Sequence, residues 1–85
     1  MESFRYEIRD PQGIHACPAA ILVKLSGEFA SDITIEKDGK TADLKRLFPT
    51  MELCVRSGDT VTVSAKGEDE RIASEQLEMC FNRIL

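Results

Sequence analysis

The sequence has few of the features that mark secreted, membrane-spanning or metal-binding chains. Its three cysteines cannot all pair within the chain, and no two of them form a CxxC pair. The start of the chain is not a charged segment followed by an apolar one, so secretion is not expected. The longest uninterrupted apolar stretch, "PAAILV", is far too short to span a bilayer. We therefore expect a cytoplasmic, reducing location and no insertion into a membrane.

Basic residues are too few to favour a nucleic-acid partner. Lys and Arg number 11 against 15 Asp and Glu, which gives a formal net charge of −4, and no basic arm or stripe offsets it. The composition is otherwise that of an ordinary globular protein, with 42% hydrophobic and 31% charged residues. Because linkers, repeats and low-complexity segments are lacking, we expect residues 1–85 to form one domain of two packed layers.

Hydrophobic periodicity predicts a strand, a helix and a hairpin in the first half of the chain. Alternation over residues 4–9 is typical of a half-buried strand, which the turn "DPQG" ends. Apolar residues at helical spacing predict a helix from Pro18 to about Phe29, and Gly27 marks a weak point or an early end. The pair Asp38-Gly39 in "DITIEKDGKTADL" predicts a two-residue hairpin turn.

The second half adds a short helix, a strand and a longer helix. Pro49 predicts that the short helix begins near Leu47 or near Pro49 itself and runs for about two turns. "SGDTVTVSAKG" predicts a turn and a strand. Helical spacing of apolar residues predicts a closing amphipathic helix from Glu68 to Leu85, with three acids in its first turn. Its expected buried stripe is Ala73, Leu77, Cys80, Phe81 and Ile84. This order of elements favours an α+β fold, an antiparallel sheet with its helices on one face.

The only histidine, His15, lies in the stretch "GIHACPAA" at the predicted start of the first helix. If this helix begins near Pro18, the backbone amides of Ala16 and Cys17 lack intrahelical partners. These two N–H groups and the positive end of the helix dipole form an anion site beside the imidazole. The same dipole disfavours the imidazolium ion, so the ring is expected to be neutral and nucleophilic. Such a site is suited to accept a phosphoryl group.

Other interpretations of this stretch stay open. His15 could be a helix-capping or surface residue without chemistry. Cys17, at a helix start beside an imidazole, is in surroundings that increase thiol reactivity, which predicts a thiol nucleophile or redox sensor. The plainer alternative is a small side chain tolerated at the helix start. A metal site is not expected, because these two residues supply only half of a tetrahedral coordination shell.

"GIHACPAA" resembles the active-site signature of the HPr family, the histidine-containing phosphocarriers of the bacterial phosphoenolpyruvate-dependent sugar phosphotransferase system. "DLKRLFPTMEL" falls where that family has its short second helix, and "SGDTVTVSAKGEDE" is similar to its last strand and the start of its last helix. The resemblance covers essentially all 85 residues. It implies an open-faced sandwich, in which three helices cover one face of a four-stranded antiparallel sheet.

The resemblance also implies a role for His15. The residue would receive a phosphoryl group on Nδ1 from enzyme I and pass it to enzyme IIA domains. The protein would be a phosphocarrier that needs no cofactor and is not itself a turnover enzyme. Members of the family are typically monomeric, and we expect a monomer here.

Three positions depart from the family pattern. Cys17 stands where the family has arginine, so a charge-assisted phosphate contact of about 1.5–3 kcal/mol is missing and weakened transfer is expected. Arg46 stands where Gram-positive members carry a serine that a regulatory kinase phosphorylates. We expect the start of the short helix to lie near the histidine, so that Arg46 or Lys45 supplies the missing cation. The alternative for Arg46 is a solvated charge. Cys54 replaces the usual glycine, which predicts an early helix end or a changed turn.

Finally, the resemblance implies a docking surface around His15 for enzyme I and its downstream acceptors. Its expected members are Ala16, Ala20, Leu47, Phe48 and Met51, flanked by Lys24, Lys45 and Arg46. The alternative is that Leu47 and Met51 point into the core. Two functions follow: a phosphoryl carrier, or an HPr-like regulatory or binding module with weak or lost carrier activity. The substitutions at Cys17 and Arg46 favour the second.

Overall fold

The computed structural model describes residues 1–85 and contains seven elements in the predicted order. Its strands are β1 (Glu2–Glu7), β2 (Asp32–Lys37), β3 (Lys40–Asp43) and β4 (Thr60–Lys66). Its helices are α1 (Ala16–Ser26), α2 (Leu47–Glu52) and α3 (Glu70–Ile84). The strands form one antiparallel sheet in the order β1-β4-β2-β3.

One face of the sheet is buried because apolar residues alternate with polar ones along each strand. The buried strand positions are Phe4, Tyr6, Ile33, Ile35, Ala42, Val61, Val63 and Ala65. Helix α3 packs against β1 and β4, α2 packs against β3, and α1 lies against both other helices. The buried side chains of α1 and α3 join those of the sheet in a single cluster of 18 apolar residues. The predicted α+β open-faced sandwich is therefore confirmed.

Local sequence signals account for two of the connections. Asp38 and Gly39 have φ angles of 52° and 81°, as both central residues of a type I′ turn require, so the predicted hairpin is confirmed. Helix α2 begins at Leu47, which places Pro49 third in the helix, where a missing N–H removes no helical hydrogen bond. The buried hydroxyl of Thr50 donates to the Arg46 carbonyl at 2.8 Å.

Helix α1 differs at both ends from the helix predicted over Pro18 to Phe29. It begins two residues earlier, at Ala16, because Pro18 fits the third position of a helix as well as the first. It ends at Ser26, and Gly27 follows as the C-cap, so the early end that Gly27 signalled is the correct alternative. Phe29 lies in the turn beyond, where its N–H donates to the Ser26 carbonyl at 3.2 Å.

Helix α3 is also shorter than predicted, since it begins at Glu70 and not at Glu68. Only Glu70 of the three expected acids lies in its first turn. On the predicted apolar stripe, Cys80 and Ile84 are partly buried and pack against the edge of the core. Burial raises the pKa of the Cys80 thiol.

Asp69 is the N-cap residue of α3, and its carboxylate binds another loop instead of the helix amides. It accepts hydrogen bonds from the backbone N–H groups of Ala30 at 2.8 Å and Ser31 at 2.9 Å, and from the Ser31 hydroxyl. The two loops approach so closely that a Cβ on Gly67 would lie 2.7 Å from the Ser31 Cα. These hydrogen bonds, that of the Ser31 hydroxyl foremost and the Ala30 amide next, lower the pKa of Asp69 below its ordinary value of 3.8.

The Asp69 contacts give a pH dependence with a defined sign. Because the folded-state pKa is lowered, Asp69 stabilises the fold above its unfolded-state pKa and loses this contribution as pH falls through the folded value. We expect Asp69→Asn to lower the urea midpoint of unfolding at pH 7, since an amide accepts with only one oxygen. The difference in urea midpoint between the parent and Asp69→Asn should become smaller below about pH 4. A difference that stays constant down to pH 2 would contradict this account.

Candidate functional site

His15 is the N-cap residue of α1, but only its backbone performs the capping role. Its extended conformation, with φ −102° and ψ −167°, turns the chain into the helix. Its carbonyl accepts the N–H of Ala19 at 2.9 Å. The imidazole makes no capping hydrogen bond and is partly exposed. The side chain is therefore free to meet a ligand or a second protein.

The first two amides of α1 have no acceptor in the chain. Ala16 and Cys17 are the first helical residues, Pro18 has no N–H, and Ala19 donates the first helical hydrogen bond. Ala16 and Cys17 are both exposed, and the first turn contains no acidic side chain that would compensate the positive helix end. The structure thus brings His15, Ala16 and Cys17 together around an open cluster of N–H donors. The earlier helix start leaves this expected arrangement unchanged.

Gly13 fixes the loop that carries His15. Its φ is 66°, and a Cβ at this position would collide with the Val55 carbonyl oxygen. The N–H of Ile14 donates to the same carbonyl at 3.0 Å, and the Ile14 side chain is buried in the core. The loop that holds His15 is thereby pressed against the segment that follows α2.

Helices α1 and α2 run in opposite directions. Val55, just after α2, contacts the residues before α1, whereas the Lys45 ammonium, just before α2, donates to the Phe29 carbonyl after α1 at 2.7 Å. The 11 residues of α1 span about 16 Å. The start of α2 therefore lies beside the end of α1 remote from His15. These contacts give no support to the expectation that Lys45 or Arg46 supplies the missing cation, which stays a prediction.

The expected docking residues lie on the outer surfaces of α1 and α2. Ala20 and Lys24 are exposed on α1, and Phe48 is 72% exposed on α2. Leu47 and Met51 are partly buried and pack against the core, which agrees in part with the alternative for these two. We call the surface formed by Ala20, Ile21, Lys24, Leu47, Phe48 and Met51 the α1–α2 face. Ile21, which was not among the expected docking residues, is 47% exposed on α1.

Cys54 adopts the left-handed conformation, with φ 54°, immediately after the turn that ends α2. Glycine is the usual residue for this conformation, since any Cβ makes it strained by about 1 kcal/mol. Cys54 thus takes a conformation that ordinarily favours glycine, and it does so beyond the end of α2 at Glu52. The Lys37 ammonium donates to the Cys54 carbonyl at 3.0 Å and holds the strained residue in place.

The remaining chemistry of the site is limited. All three cysteines are free, and Cys17 and Cys54 are exposed. The Cys17 thiol has no hydrogen-bond partner that would orient it, so the thiol hypothesis gains no support. No group of three or more His, Cys, Asp and Glu side chains is arranged to hold a metal ion.

None of the three helices is both long and apolar enough to cross a bilayer.

Comparison with known proteins agrees with the fold and with the family resemblance of the sequence. The family model described as "PTS HPr component phosphorylation site" matches residues 2–83. The chain is 42% identical over 73 residues to the HPr-like protein Crh of Bacillus subtilis, covering 86% of each chain. It is 43% identical over 70 residues to the phosphocarrier protein HPr of Borreliella burgdorferi, covering 82% of this chain and 81% of that one.

A solved structure gives the same result. The histidine-containing phosphocarrier protein of a mycoplasma superposes with a TM-score of 0.94 at 30% identity, covering 96% of this chain and 93% of that chain. Fold and site together define a phosphocarrier-type open-faced sandwich with a histidine at a helix N-terminus. The chain belongs to the HPr family of the phosphotransferase system.

The close approach at Gly13 gives a stability test. Gly13→Ala should lower the free energy of unfolding by at least about 2 kcal/mol, because it adds a collision with the Val55 carbonyl to the strain of a positive φ. Gly39→Ala is the matched control, since Gly39 also has a positive φ but open space around it. Urea denaturation should show the larger loss for Gly13→Ala. Equal losses in the two variants would show that the approach to Val55 is unimportant.

Proposed function

We propose that the chain is a phosphoryl carrier, which accepts a phosphoryl group on His15 from enzyme I and passes it to enzyme IIA-type components of sugar transport. The observation that carries the proposal is the partly exposed imidazole beside two backbone N–H groups that have no acceptor. Membership of the HPr family supports the same role. The proposed role places the chain in the cytoplasm as a monomer, without cofactor or metal.

The proposed transfer uses the neutral imidazole as nucleophile. A ring nitrogen lone pair, on Nδ1 by analogy with the family, attacks the phosphorus while the bond from phosphorus to the donor protein breaks. The negative oxygens of the transferred group then lie against the amides of Ala16 and Cys17 and the positive end of α1. Transfer to an acceptor reverses these steps. Because the imidazole is partly exposed, a partner can approach the ring directly.

The phosphorylation of His15 can be tested by mass spectrometry. Incubation with a cognate enzyme I and phosphoenolpyruvate should add one acid-labile phosphoryl group to the parent and none to His15→Ala. No mass increase in the parent would contradict the carrier role. That outcome would instead support the second candidate, an HPr-like regulatory or binding module. The missing arginine at Cys17 and the similarity to the HPr-like protein Crh favour this second candidate.

The α1–α2 face is the proposed contact with enzyme I and with IIA-type acceptors. The exposed Phe48 ring provides apolar area to bury, and the small Ala20 lets a partner approach α1 closely. Lys24 on the same face is exposed, so it adds a positive charge that attracts acidic partners despite the net negative charge of the chain. In this proposal Lys45 and Arg46 serve docking at the edge of the face.

Phe48→Ala separates docking from chemistry. We expect the KM of enzyme I for the chain to rise about tenfold, because the variant removes an apolar contact of the complex. Phosphorylation by a small phosphoryl donor such as phosphoramidate should be unchanged. Ile72→Ala is the control, since Ile72 is 57% exposed but lies on α3. If Phe48→Ala slows phosphorylation by enzyme I and by phosphoramidate equally, Phe48 supports the structure of the histidine site and does not serve the docking of partners.

A further inference from the structure

Arg56 lies directly beside the loop that carries His15. A Cβ placed on Gly13 would stand 2.7 Å from the Arg56 Cα, so the two backbones are in contact. The preceding residue, Val55, accepts the hydrogen bond from Ile14 at 3.0 Å. The backbone of Arg56 therefore lies against residues that directly precede the histidine.

The backbone of Arg56 is also held from its other side. Its N–H donates to the Asp59 carboxylate at 2.8 Å, and its carbonyl accepts the N–H of Asp59 at 3.0 Å. The Lys37 ammonium lies 3.2 Å from the same carboxylate and donates to the Cys54 carbonyl. The hydrogen bond from Arg56 foremost, and that from Lys37 next, lower the pKa of Asp59. The segment from Cys54 to Asp59 thus has a fixed position relative to His15.

The guanidinium of Arg56, in contrast, has no hydrogen-bond or ion-pair partner. Arg56 is exposed, and its side chain makes neither a hydrogen bond nor an ion pair within residues 1–85. Three other cations of the chain are engaged: Lys37 binds Asp59, Lys45 binds the Phe29 carbonyl, and Arg9 lies over the Tyr6 ring. The charge of Arg56 acts on the Asp59 carboxylate only at a distance, as the last of the causes that lower the Asp59 pKa. The long Arg56 side chain therefore starts from a fixed backbone beside the loop that carries His15 and has no hydrogen-bonded partner inside the chain.

We propose that Arg56 is the phosphate-binding cation of the His15 site and does the work of the arginine that Cys17 replaces. This inference rests on the proposed carrier function and adds a residue to it. A guanidinium presents a planar fork of donors that fits two phosphoryl oxygens. The small Cys17 side chain at the helix start leaves open the space above the amides. The phosphoryl group then lies between the N-terminus of α1 on one side and Arg56 on the other.

The test uses the charge of the phosphoryl group and needs no partner protein. His15 is phosphorylated with phosphoramidate in the parent, in Arg56→Gln and in Arg5→Ala, and the second pKa of the phosphoryl group is measured by 31P NMR. We expect Arg56→Gln to raise that pKa by about half a pH unit or more, because a nearby cation favours the dianion. Arg5→Ala is the matched control, since Arg5 is exposed on the open face of the sheet. It should leave the pKa unchanged.

A rescue variant tests whether the two arginine positions are equivalent. Adding Cys17→Arg to Arg56→Gln should restore the phosphoryl pKa of the parent, because the Cys17→Arg substitution returns a guanidinium to the helix start. Equal pKa values in the parent and Arg56→Gln would overturn the role of Arg56 while leaving the carrier function intact, since the phosphoryl group would have formed. A parent that accepts no phosphoryl group from phosphoramidate or from enzyme I would overturn both.

Discussion

The contact between Gly13 and the Val55 carbonyl is the constraint on which the site depends. It requires a residue without a Cβ at a positive φ, and it joins the loop before α1 to the segment after α2. Two residues further on, His15 caps α1 through its carbonyl, and its imidazole makes no capping hydrogen bond. The two free amides then follow from the geometry of any helix start, where the first donors lack acceptors.

The antiparallel arrangement of α1 and α2 decides which charges lie near the histidine. The start of α2 lies beside the far end of α1, where Lys45 binds the Phe29 carbonyl. The end of α2 lies beside His15, and there the chain supplies Arg56, held in place by Asp59. The same arrangement brings the outer surfaces of both helices into one face. In the proposed function, one end of this helix pair carries the phosphoryl chemistry and its outer surface binds the partner proteins.

The sequence predicted the features that depend on local patterns. Alternation along the strands and the Asp38-Gly39 turn located the sheet, since each is decided by neighbouring residues. The boundaries of α1 were shifted, because Pro18 fits the first and third helical positions equally well. The packing direction of α2 was not predicted, since residues 29 and 45 meet only in the folded chain. The role that we propose for Arg56 was not predicted for the same reason, as nothing local links it to a histidine 41 positions away.

The central claim is that the free amides at the start of α1 receive the phosphoryl group on His15. The most direct measurement is the 1H–15N NMR spectrum of the chain before and after phosphorylation of His15. The account predicts that the amide proton resonances of Ala16 and Cys17 shift strongly downfield as these groups begin to donate to phosphoryl oxygens. The amide resonances of the sheet strands should not shift. Unchanged Ala16 and Cys17 resonances in a fully phosphorylated chain would contradict it.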